Sequence, residues 1–175
     1  MIFTETGLPG VVVVELEPVA DERGFFARSW CQKEFASHGL NSNLAQCNIS
    51  FNPKKGTLRG MHYQAAPYYE AKLVRCTMGS IHDVVVDIRP DSSTFKQWFA
   101  VELTAQNRKM LYMAEGFAHG YQTLEDNCEI FYQVSEFYRP ELARGVRWDD
   151  PAFGIDWPIR NPILSDKDRE CPFMP

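Results

Sequence analysis

The sequence predicts an all-β domain, a sandwich or barrel of many short strands with short peripheral helices, and three observations lead to it. Segments 71–77, 81–89, 97–103, 109–113, 120–124 and 128–135 are apolar or alternating, and each has the length of a strand. The residues between them carry turn chemistry: Met78-Gly79-Ser80, Pro90-Asp91-Ser92-Ser93, Ala105-Gln106-Asn107 and Glu125-Asp126-Asn127. No linker, low-complexity tract or clear repeat interrupts residues 1–175, so a single domain is expected, long enough to bury a real core. Short strands at regular spacing fold onto one another as a sandwich or barrel.

In chain order, 11–16 is a β-branched run that ends near Pro18, and Asp21-Glu22-Arg23-Gly24 reads as a turn into Phe25-Phe26. These first two elements are expected to pair as a hairpin. Gln32 to His38 carries the one convincing helical pattern of the first half, with Gly39 as its stop. Leu44 to Ser50 is extended again, and Asn52-Pro53-Lys54-Lys55-Gly56 is a loop. From about residue 140 the character changes, with Pro140, Pro151, Pro158, Pro162, Pro172 and Pro175 spread among Trp148, Phe153 and Trp157. That tail is expected to form neither a regular strand nor a long helix. Its aromatics should pack on the β body and so deliver Asp166, Lys167 and Asp168 to a site.

Composition narrows the function. Hydrophobic residues make up 45% and charged residues 23%, which excludes a disordered or collagenous chain. The formal charge of −5 disfavours a nucleic-acid surface, so an anionic ligand has to meet a local basic cluster. The start, Met1-Ile2-Phe3-Thr4-Glu5-Thr6, has no basic n-region, and no run approaches a membrane span. Cys31, Cys47, Cys76, Cys128 and Cys171 are odd in number and free of C-x-x-C pairs, as expected of reduced thiols in a cytoplasm.

The chemistry centres on Arg59-Gly60-Met61-His62-Tyr63-Gln64, which sets a guanidinium, an imidazole and an amide in an otherwise apolar stretch. Taken alone, His62 is a strand histidine and each basic residue a solvated surface charge. The histidines, at 38, 62, 82 and 119, lack an H-x-H spacing, so the signal for a metal site is weak. There is no G-x-S-x-G elbow and no glycine-rich phosphate loop. What remains is proton transfer, with His62 as base if a carboxylate fixes its tautomer. Asp83, Asp87 and Asp168 are the candidates for that carboxylate. Arg23, Arg59 and Lys72 suit phosphate, and the lysine also suits a developing enolate.

A resemblance enters on these residues. Gly56-Thr57-Leu58-Arg59-Gly60-Met61-His62-Tyr63-Gln64, Ala71-Lys72-Leu73-Val74-Arg75, Asp83 to Arg89, Glu115-Gly116-Phe117-Ala118-His119-Gly120, Tyr132 with Tyr138, Arg147-Trp148-Asp149-Asp150-Pro151 and Leu164-Ser165-Asp166-Lys167-Asp168 follow in order. Together they resemble the dTDP-4-dehydrorhamnose 3,5-epimerase family, over about residues 3–170. The resemblance implies a metal-free cupin, a double-stranded β jelly roll without a cofactor. It also implies a homodimer that exchanges strands and a nucleotide-linked 4-keto-6-deoxy sugar as substrate. By position His62 matches the family's general base, Asp168 its orienting carboxylate, Lys72 the residue beside the C4 oxygen and Tyr132 the proton donor on the opposite face. Arg23, Gln46, Cys47, Asn48, Arg59, His119 and Lys167 fall on nucleotide or phosphate positions, and Tyr138 on the one that stacks against the base.

Two positions at the nucleotide end depart from the family pattern: Arg28 and Ala143 stand where glutamates are usual. A cation and a methyl replace two acceptors, which leaves the base of the nucleotide open. A sugar-nucleotide 3,4-ketoisomerase and a non-catalytic sugar-nucleotide-binding cupin stay open beside the epimerase. The resemblance also makes a geometric demand. Arg59 and His62, three residues apart, face opposite sides of a regular strand. If both serve one site, the strand has to bulge at Gly60.

Overall fold

The structure is a computed structural model that describes residues 1–174. One sheet runs, in spatial order, β1 (Ile2–Glu5), β2 (Val11–Glu15), β10 (Met110–Met113), β7 (Lys72–Met78), β12 (Cys128–Val134) and β5 (Gln46–Asn52). The second runs β13 (Ala143–Gly145), β6 (Leu58–Gln64), β11 (Phe117–Thr123), β8 (Ser80–Asp87) and β9 (Trp98–Thr104). β3 (Val19–Asp21) and β4 (Gly24–Phe26) form a separate hairpin, and α1 (Gln32–Ser37) and α2 (Asp166–Arg169) are short. Within both sheets neighbours are antiparallel and mostly distant in sequence, the arrangement of a jelly roll.

Strand alternation explains the layering. Val74, Leu111 and Ile130 from the first sheet meet Ile81, Val85, Leu103 and Phe117 from the second in the central core. The residues between them in sequence face outward. Val84 and Val86 of β8 pack with Leu58, Met61 and Ala118 under Val146, Phe153 and Trp157 of the tail. Val12, Val14, Leu73 and Met110 pack on the other outer face beneath Phe35 of α1. The tail therefore covers the second sheet, as its aromatics predict, and apolar burial of this kind is worth about 25 cal/mol per Å².

Two expectations need correction, and one strand adds to them. Segment 11–16 does not pair with Phe25-Phe26: β2 lies between β1 and β10, and the hairpin joins only Val19–Asp21 to Gly24–Phe26. Ile2–Glu5, left unassigned by the sequence, is a strand, its weak pattern reflecting an edge position with exposed side chains. The tail does contain strand structure. Ala143–Gly145 pairs with β6, and Thr57 bridges Ile163 in parallel.

Candidate active site

The site is built around an interruption in β6. His119 of β11 pairs with His62 while Tyr121, two residues on, pairs with Arg59, so β6 spends one extra residue between them. Gly60 takes φ +133°, and the Gly60–Met61 peptide is cis. A Cβ at Gly60 would lie 2.5 Å from the Gly120 Cα and 2.9 Å from the His119 carbonyl oxygen, so the two strands close up only because neither residue has a side chain there. The bulge turns Arg59 and His62 to the same side, and both line one cavity of about 590 Å³.

His62 Nε2 lies 2.6 Å from Asp168 Oδ1, with the imidazole 39% and the carboxylate 6% exposed. A carboxylate accepts, so Nε2 carries the proton and Nδ1 is left as the basic nitrogen. Asp168 is delivered by α2, whose N-terminus is capped by Ser165 accepting from the Asp168 N–H. Burial opposes its ionisation, yet hydrogen bonds from His62, Ser165 and the Gly60 N–H, with the charge of His62, hold its carboxyl below the usual range. The bulge thus supports the carboxylate as well as aiming the imidazole.

Across the cavity the first sheet contributes Lys72 from β7 and Tyr132 from β12, whose register sets Tyr132 opposite Asn48 and Val74 on the inner face. Burial first, and the nearby charge of Glu70 second, push the Tyr132 phenol up. An adjoining cavity of about 180 Å³ shares Arg59, His62, Lys72 and Tyr132 and adds Ser50, His119 and Tyr121. Arg59 Nε donates to Asn52 Oδ1 at 2.7 Å, which fixes the guanidinium on the wall. His119 Nε2 lies 2.8 Å from Asp83 Oδ1, so Asp83 serves the second histidine, while Asp87 accepts from Arg89, Ser92 and Thr94 in the β8–β9 turn.

Gln46, Asn48, Tyr138 and Lys167 line the larger cavity, and the Gln46 amide oxygen accepts from the Tyr138 N–H. The remaining nucleotide positions are placed elsewhere in this chain. Cys47 alternates to the outer face of β5 and is exposed. Arg23 sits on the hairpin, 86% exposed and paired with Asp21; Arg28 pairs with Glu34 of α1. Asp166 is 90% exposed and pairs with Arg169 rather than entering the site. Tyr63, Gln64, Glu70, Ala143 and Arg144 also line the cavity. Of these, Gln64 was within reach of the sequence, two residues beyond His62 on one strand. Among the described residues no three His, Cys, Asp or Glu side chains converge as a metal set.

Residues 5–175 match the protein family described as dTDP-4-dehydrorhamnose 3,5-epimerase. A dTDP-4-dehydrorhamnose 3,5-epimerase of Shigella flexneri is 46% identical over 169 residues, covering 96% of this chain and 93% of that protein. The crystal structure of dTDP-4-dehydrorhamnose 3,5-epimerase from Bacillus anthracis with TDP and PPi bound is similar at TM-score 0.95 and 40% identity, covering 98% of both chains. A dTDP-6-deoxy-D-glucose-3,5-epimerase of Legionella pneumophila in complex with dTDP-4-keto-L-rhamnose is similar at TM-score 0.93 and 34% identity, covering 99% of this chain and 92% of that one.

Proposed function

The chain belongs to the dTDP-4-dehydrorhamnose 3,5-epimerase family, and from that premise we propose that it epimerises a nucleotide-linked 4-keto-6-deoxy sugar at C3, C5 or both. The observation that carries the reading is the His62–Asp168 pair on one side of the cavity with Lys72 and Tyr132 on the other. His62 stands on the second sheet and Tyr132 on the first, so a sugar ring between the sheets meets a base on one face and an acid on the other.

The C4 ketone acidifies the hydrogens on C3 and C5. His62 Nδ1 takes one of them, the electron pair moves onto the C4 oxygen as an enolate, and the Lys72 ammonium stabilises that charge. Asp168 stabilises the imidazolium that forms. Tyr132, whose phenol keeps its proton well above neutrality, returns a proton to carbon from the opposite face and inverts the centre. His62 then releases its proton to solvent and Tyr132 regains one, so the transfers balance without a redox change and the reaction needs no cofactor. Arg59 and Lys167 bind the diphosphate, with Gln46, Asn48 and Tyr138 toward the nucleoside and His119 beside Arg59 in the adjoining cavity.

We read the protein as one cytoplasmic domain that works as a homodimer by strand exchange. Among the described residues the β3–β4 hairpin pairs with no other strand, and it exposes Val19 at 73% and Phe26 at 75%, a surface suited to a second copy. A swapped hairpin would carry Arg23, and Arg28 just after it, to the partner's site. Sedimentation should give a dimer for the wild type and a monomer for Phe26→Asp; a monomeric wild type would refute the exchange.

Incubation with dTDP-4-keto-6-deoxyglucose in deuterated water tests the reaction. Deuterium should enter at C3, C5 or both, and the labelled carbons report which centres are inverted. No label at either carbon would refute the proposal for this sugar.

A further inference from the structure

The cavity contains a carboxylate to which the proton transfers above give no task. Glu70 lies in the connection between β6 and β7, two residues before Lys72, and its Oε1 is 3.1 Å from Lys72 Nζ. The side chains are 13% and 11% exposed, yet both line the cavity. No spacing in the sequence marks Glu70, which stands among the tyrosines and alanines of 65–71.

Stability does not explain this pair. An exposed ion pair contributes little to stability, and a withdrawn one loses most of its Coulombic gain to desolvation. What the contact does supply is geometry. A lysine has a four-carbon stem and a compact ammonium, so without an anchor its Nζ samples many positions. Among the described residues Glu70 is the side chain that ion-pairs with Lys72.

We propose that Glu70 is a positioning residue that acts through Lys72, its carboxylate holding the ammonium at the cavity wall where the C4 oxygen of the substrate becomes an enolate. The inference rests on the epimerase reading. The charged and titratable groups around the pair are Arg59, His62 and Tyr63 on β6, His119 and Tyr121 on β11, Tyr132 on β12 and Tyr138 beyond it. Arg144 on β13 and Lys167 on α2 add cations, which repel Lys72 and which Glu70 offsets. After burial, Glu70 has the largest influence on the Tyr132 phenol and acts in the same protonating direction. A single carboxylate therefore anchors the Lys72 ammonium and favours the protonated Tyr132 phenol.

A double-mutant cycle tests this, with Glu70→Gln made in the wild type and in Lys72→Ala and kcat and KM measured in each. In the wild type Glu70→Gln should lower kcat by about tenfold, the scale of one charge-assisted contact, and change KM by less than about threefold. Its alkaline limb should move to lower pH, because the Tyr132 phenol loses a nearby charge that favours its protonated form. Glu70→Asp keeps the charge and should leave that limb near the wild-type position. In the Lys72→Ala background Glu70→Gln should have no further effect on kcat at pH values below the alkaline limb. An equal loss in both backgrounds, an unchanged kcat in the wild type, or a limb that moves equally in Glu70→Asp would overturn the inference. Wild-type protein that exchanges no label refutes the epimerase reading and this inference with it, whereas an active wild type whose kcat Glu70→Gln leaves unchanged refutes the inference alone.

Discussion

Asp168 Oδ1 and His62 Nε2 lie 2.6 Å apart although the residues are separated by 106 positions in the chain. The contact exists because the tail folds back over the second sheet and α2 ends on the bulged strand. An amide at position 168 keeps the shape and removes the charge that stabilises the imidazolium. Asp168→Asn should therefore lower kcat by about 10²–10⁴-fold with a smaller change in KM, measured by steady-state kinetics. A loss confined to KM would place Asp168 in binding instead.

Tyr132 faces His62 from the other sheet, so removing its hydroxyl separates two steps of the reaction. Tyr132→Phe leaves the base able to remove a proton and return a deuteron to the same face. Inversion should fall by at least about 10²-fold, the usual worth of a positioned acid, while exchange of label into recovered substrate persists. Inversion at the wild-type rate would remove Tyr132 from the role of acid.

Gly60 has a positive φ and no room for a side chain against Gly120. Gly60→Ala should destabilise the fold by about 2–4 kcal/mol, read from denaturant unfolding, since the added methyl meets backbone rather than a movable side chain. A variant as stable as wild type would mean that the strands part easily at the bulge.

The bulge shows what was legible in the sequence. Requiring Arg59 and His62 to share a site, together with strand periodicity, predicts it, and the register shift opposite His119 and Tyr121 meets that demand. The same periodicity, applied to β5, separates inward Gln46 and Asn48 from outward Cys47, a distinction that position matching alone does not make. The apolar strands were readable because their alternation is local. The partner of β2 was not, because strand choice depends on contacts about 100 residues away rather than on the nearest turn. Glu70 went unseen because it stands in the loop before β7, which has no periodicity to read.

Asp87 predicts how stability responds to acid. Burial resists its ionisation, but hydrogen bonds from Arg89, Ser92 and Thr94 hold its pKa at about 2, against an ordinary 3.8. A carboxylate depressed in the folded state contributes stability that is full above the unfolded pKa and is lost as pH falls through the folded one. The wild type should be more stable than Asp87→Asn near neutrality, and that advantage should shrink by about 2 kcal/mol between about pH 5 and pH 2. A difference independent of pH would show that the Asp87 charge is not what the turn requires.

The account stands on His62 as the base that starts the reaction. The most direct measurement compares wild type and His62→Ala for the rate at which deuterium from solvent enters C3 and C5 of dTDP-4-keto-6-deoxyglucose. Loss of exchange at both carbons by at least about 10²-fold in the variant, with nucleotide-sugar binding retained, is the predicted result. Exchange in His62→Ala at the wild-type rate would contradict the account.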